Sequence, residues 1–97
     1  MEIRQLRRFL VLAEELHFGK AAARLHIAQP ALSQELKSLE RALGLRLLDR
    51  THNHVALTDA GRRLKDEAER IIQSHDAAVT AMDELRSPTR GTLKLGV

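Results

Sequence analysis

The side chains best placed to do chemistry in this sequence lie between Lys20 and Arg41, in KAAARLHIAQPALSQELKSLER. Spaced at roughly 100° per residue, Pro30, Ser33, Gln34, Lys37 and Arg41 fall on one face of a helix, and Leu32, Leu36, Leu39 and Leu43 form an apolar stripe on the other. Amides, a hydroxyl and cations can hydrogen-bond to base edges and phosphates, and they do little covalent chemistry unaided. The stretch reads as two helices around a tight turn, the second of them a recognition helix. No nucleophile with a paired base, no convergent carboxylates and no glycine-rich phosphate loop appear, so an enzymatic reading finds no support.

The elements that position this face must come from a chain of 97 residues, enough for one small domain and an extended piece. Two Phe, no Trp and no Tyr leave few platforms for stacking bases, which counts against single-strand and RNA recognition. The net charge is +3, and its distribution says more than its size. Residues 1–57 hold nine Lys/Arg against six Asp/Glu, whereas 58–97 hold seven of each. The basic excess thus belongs to the part that carries the recognition helix. With no Cys there is no disulfide framework and no thiolate metal site. No run approaches the length of a membrane span, and the N-terminus lacks the apolar core of a signal peptide, so a cytoplasmic location is expected.

Ile3, Leu6, Phe9, Leu10, Ala13 and Leu16 give the first helix a core-facing pattern, and Val11 and Leu12 widen it. A second, short helix is expected from Gly19 to Leu25, where Ala21, Ala22 and Ala23 allow close approach. His26, Ile27 and Ala28 form the turn. Gln29-Pro30 opens the third helix, since proline suits a first turn, and Gly44 ends it. Leu45, Leu47 and Leu48 read as a short strand, His52-Asn53-His54 as a loop tip and Val55 to Leu57 as the return strand. Strands this short must lean on the helices. The fold class is mainly α: a winged helix-turn-helix of three helices and a β-hairpin wing, over 1–58, with the helix-turn-helix at about 18–37.

Thr58 and Asp59 begin a further helix, expected to run to residue 87 before Pro88. Leu64, Ala68, Ile71, His75, Ala78, Met82 and Leu85 alternate spacings of four and three, a heptad seam flanked by Ile72 and Val79. A solitary helix of this length is marginal in water, so a partner is expected, most simply the same helix of a second chain. His75 reads as a polar residue tolerated in that seam, which would make dimerisation sensitive to mild acid. In 88–97, RGTLKLGV alternates like the opening of a β-strand with no sheet to join, so the natural protein is expected to continue.

Taken together these motifs resemble the N-terminal DNA-binding region of a LysR-type bacterial transcriptional regulator. The resemblance runs through IRQLRRFLVLAEELHFGKAAARLHIAQPALSQELKSLERALGLRLLDRT, VALTDAG, the linker helix and the hinge RG-x-L-x-x-G. It implies a dimer formed through the linker helix, binding partly palindromic promoter DNA. It also implies a C-terminal effector domain, absent here, that takes a small-molecule inducer, and higher assembly of the full-length protein. This fragment itself needs no cofactor. The resemblance places Gln29, Pro30, Ser33 and Gln34 in the major groove, with Arg50 and the wing tip His52 and Asn53 at the minor groove or its phosphates. Three positions depart from the family: Gly19 where Ser or Thr is frequent, Gln34 where many members carry Arg, and a wing tip without a further arginine.

Each of these residues also has a plainer reading. Gln29 and Pro30 open a helix whatever else they do, and Lys37 and Arg41 are ordinary solvated charges, Lys37 being nearer the helix start and better placed for a phosphate. Lys20 starts the second helix, where N–H groups and a cation suit a phosphate. Arg50 could pair with Asp49 or Glu40 instead of DNA. His52 and His54 could suggest zinc, but two histidines without a third ligand make no site. Among functions, the competitor is a protein-interaction module that uses the long helix and leaves DNA unread. The Ser, Gln and Lys of the third helix, rather than large apolar or acidic residues, favour DNA.

Overall fold

A computed structural model describes residues 1–51 and 54–86. Helices α1 (Ile3–Glu15), α2 (Phe18–Leu25) and α3 (Gln29–Leu43) are followed by strands β1 (Leu48–Thr51) and β2 (His54–Leu57), then the long helix α4 (Asp59–Arg86). The two strands pair antiparallel, Leu48 opposite Leu57 and Thr51 opposite His54. This is a winged helix-turn-helix with a helical arm.

The core is built from Phe9, Leu12 and Ala13 of α1, Phe18, Ala21 and Ala22 of α2, Leu32, Leu36 and Leu39 of α3, and Leu47 and Leu48. Alanines at 21 and 22 let α2 sit closely in this core, and both are almost fully buried. Leu43, Val55, Leu57 and Leu64 lean on it from outside. The expected stripe of α3 is therefore the buried one.

Helix ends follow from single residues. At the start of α1 the Gln5 side chain accepts from the Glu2 N–H at 3.0 Å. Gly44 closes α3 at φ 68°, donating to Glu40 at 2.8 Å, a left-handed position that favours glycine. Leu16 and His26 take the same conformation, at φ 49° and 57°, without being glycine. Leu16, expected to face the core, thereby leaves the helix and stands exposed, whereas Leu12, expected only to widen the apolar face, is completely buried.

Two other boundaries move. Helix α2 begins at Phe18, one residue before the expected Gly19, because His17 caps it: Nδ1 accepts from the Lys20 N–H at 3.0 Å. The first strand begins at Leu48, not Leu45. Leu45 is exposed and Leu47 is completely buried, and the backbone of Leu47 is committed elsewhere. Its N–H donates to Glu40 Oε2 at 2.7 Å, and its carbonyl accepts from Thr58 N at 3.0 Å.

Thr58 performs the capping expected of it. Its Oγ1 accepts from the Gly61 N–H at 3.0 Å and donates to the Arg46 carbonyl at 2.5 Å. The first turns of α4 are thus drawn onto the segment that joins α3 to the wing, and the helix runs on along α1.

Candidate nucleic-acid interface

Helix α3 presents its N-terminal turns to solvent: Gln29, Pro30, Ala31 and Gln34 are exposed, as are Lys37 and Arg41 further along. Ser33 is half-buried, on the flank of the face and not at its centre. The N-cap is Ala28, which offers no side-chain acceptor. Pro30 has no N–H and the Ala31 N–H donates to the Ala28 carbonyl at 3.1 Å, so the backbone of the first turn has at most the Gln29 N–H to offer an outside acceptor.

Beside this end of α3 lies an open crevice lined by Leu16, His17, Phe18, Gly19, Gln29, Arg50 and Val55. It brings together the starts of α2 and α3 and the wing. A β-carbon on Gly19 would meet His17 Cε1 at 3.1 Å and Gln29 Oε1 at 3.5 Å. Glycine at 19 therefore makes room for the capping imidazole and the Gln29 amide. The cap of α2 comes from His17 and not from position 19, which is the second residue of the helix; sequence reasoning passed over it because histidine is not among the usual N-cap residues. The Lys20 N–H is spent on that cap, so Lys20 is left with its exposed ammonium as the group it can offer an anion.

Arg50 pairs with neither Asp49 nor Glu40. Its guanidinium lies 4.0 Å from the centre of the Phe18 ring, a cation–π geometry. Glu40 is occupied, its carboxylate receiving the N–H groups of Leu47 at 2.7 Å and Leu48 at 3.4 Å. Arg50 is thus aimed by an aromatic face while remaining exposed. Among the described residues, Lys20, Lys37, Arg41 and Arg50 form no ion pair with an acid. Most other arginines are paired: Arg8 to Glu35 at 2.6 Å, Arg4 to Glu35 at 3.6 Å, and Arg24 to Glu14 and Glu15 at 2.8 and 2.9 Å. Arg46, between α3 and the wing, is also without an acid among the described residues and donates to the Leu48 carbonyl at 3.4 Å. His52 and Asn53 lie outside the described residues, as does 87–97.

The dimerisation seam divides. Ala68 is completely buried within the single chain and Leu64 packs half-buried on the core, so these two serve the fold and are not free for a second chain. The physical reason is the close seating of α4 on α1. Ile72 is half-buried in the groove beside Leu10. Its neighbour Ile71 is 37% exposed, and beyond them the face is bare: Val79, Met82 and Leu85 are 47%, 60% and 74% exposed, with His75 and Ala78 also exposed. In the single chain His75 lies on this bare face. Its Nδ1 lies 3.2 Å from Asp76 Oδ1.

The chain belongs to the lysR family of bacterial regulatory helix-turn-helix proteins, whose model matches residues 3–62. That family is one of transcriptional regulators. The chain is 45% identical over 96 residues to the uncharacterized HTH-type transcriptional regulator YnfL of Escherichia coli K12, covering 99% of this chain and 32% of that protein. The SDS degradation transcriptional activation protein of a Pseudomonas species is 42% identical over 95 residues, covering 98% and 31%. The chain therefore spans about a third of the length of the curated relatives it matches. Among solved structures, the BenM DBD complex with catB site 1 DNA superposes with a TM-score of 0.85 at 38% identity, covering 90% of this chain and 97% of that one. Full-length CbnR complexed with its target DNA gives 0.77 at 38% identity, covering 94% and 31%. No helix among the described residues is long and apolar enough to cross a membrane.

Proposed function

We propose that this chain binds duplex DNA sequence-specifically as a dimer and regulates bacterial transcription at partly palindromic promoter sites, in the cytoplasm. Gln29, Pro30 and Gln34, with Ser33 at the flank, face the base edges of the major groove. Lys20 and Lys37 take phosphates on either side, and Arg50, with His52 and Asn53, approaches the minor groove. Ile71, Ala78, Val79, Met82 and Leu85 of α4 meet their counterparts in a second chain. The whole protein adds an effector domain that takes a small-molecule inducer and supports higher assembly. The observation that carries this reading is an exposed, amide-bearing start of α3 with the acid-free Arg50 across the crevice from Gln29 and acid-free Lys37 further along the same helix. Relatives solved on DNA support it.

The test is selection of bound duplexes from a random pool at near-physiological salt, with the mass of the complex measured. The reading expects a site with two-fold symmetry and two chains per duplex. A pool that stays random, or one chain per duplex, contradicts it.

A further inference from the structure

Adjacent arginines of α1 reach to two different helices. Arg8 holds Glu35 at 2.6 Å, next to Gln34 on α3. Arg7 holds Asp76 on α4 with both nitrogens, Nη2 to Oδ1 at 2.5 Å and Nη1 to Oδ2 at 3.4 Å. Helix α1 is therefore a bracket between the reading helix and the arm.

The place of the second contact matters. The apolar attachment of α4 thins out at Ile72, and residues 73–82 are all exposed. Asp76 lies one turn past Ile72 and ties this otherwise bare stretch back to α1. A planar guanidinium meeting a carboxylate with two nitrogens fixes direction as well as distance. From Ile72 to Arg86 the helix extends about 21 Å. A tilt of about 10° at Ile72 would displace its end by about 4 Å, close to one base-pair rise of about 3.4 Å. In a dimer joined through the outer part of α4, the angle between α4 and α1 sets how far apart the two α3 helices stand.

We propose that Arg7 and Asp76 are positioning residues that fix the separation between half-sites accepted by the dimer. This rests on the dimeric DNA-binding reading. The ion pair joins α1 to α4 within one chain. It acts by holding the arm at one angle, so its loss changes which spacing is preferred and leaves recognition of a single half-site unchanged.

The experiment uses duplexes carrying two copies of the half-site recovered by selection with the wild-type chain, at separations stepped one base pair at a time through one helical turn. Wild type peaks at one separation. Arg7→Ala and Asp76→Ala each flatten that peak by about three-fold, with unchanged dimer mass and unchanged affinity for an isolated half-site. Arg7→Asp combined with Asp76→Arg restores the peak. Arg63→Ala removes a charge from the i,i+4 pair with Glu67 on the same helix and leaves the peak as it was. Profiles of the single variants that superimpose on wild type overturn the proposal, and so does flattening that the charge swap does not reverse. A wild type without any peak, or with the mass of one chain, contradicts the dimeric reading and this proposal with it.

Discussion

The guanidinium of Arg50 rests 4.0 Å from the centre of the Phe18 ring, so the wing's cation is aimed by the first residue of α2. The relationship separates charge from placement. Arg50→Ala removes a phosphate-neutralising group, weakens binding to all duplexes alike and lowers the slope of log affinity against log salt by about one. Phe18→Leu keeps the charge and removes the aromatic face. It weakens binding while leaving the slope unchanged. Salt titrations of the two variants check this, and identical slopes for both would contradict it.

A β-carbon on Gly61 would lie 2.1 Å from the Leu47 carbonyl oxygen. Backbone cannot swing aside as a side-chain tip can, so Gly61→Ala forces α4 away from the wing base and destabilises by about 1–3 kcal/mol. Gly19→Ala meets only the His17 ring at 3.1 Å and Gln29 beyond it, and it costs less. Urea denaturation of the two variants measures the difference. Equal midpoints would show that α4 is not seated as described.

Glu40 ties the end of α3 to the start of the wing through two backbone N–H groups. Glu40→Ala leaves both without this acceptor, at a cost of about 1–3 kcal/mol. Glu40→Gln keeps one acceptor oxygen and recovers part of that loss. The same denaturation series reads both values, and Glu40→Ala indistinguishable from wild type would sink the assignment.

Arg7, by donating to Asp76, holds its carboxyl below the usual carboxylate range, with His75 adding to the effect. A carboxylate depressed in the folded state stabilises fully above its unfolded value, about 3.9, and that contribution is lost as pH falls through the folded value. Asp76→Asn therefore lowers Tm at neutral pH, and the gap to wild type closes as pH falls below about 4. A gap that stays constant into acid contradicts the clasp.

What could be read from the sequence was whatever depends on period or on one residue's conformational habit. The stripe of α3, the stop at Gly44 and the cap at Thr58 are of this kind. What escaped depends on distant partners. Glu40 looks like a solvated helix charge until the chain returns to lay Leu47 beside it. Leu47 looks like strand because it is apolar among apolar neighbours, yet its N–H and carbonyl bind Glu40 and Thr58. The heptad from Leu64 to Leu85 gives one face correctly but cannot say what covers it. Here α1 covers the first part and leaves the rest bare. Ser33 falls on the polar face by angle, and the packing of its neighbours half-buries it.

On the proposed function, exposed amides at the start of α3 read base edges. The most direct measurement is the ratio of dissociation constants for a selected duplex and a scrambled one, in wild type and in Gln34→Ala. Wild type is expected to prefer the selected duplex by about 10³ or more at physiological salt, and Gln34→Ala to lose about 1–3 kcal/mol of that discrimination. A wild-type ratio near one, or a ratio that Gln34→Ala leaves intact, would contradict the account.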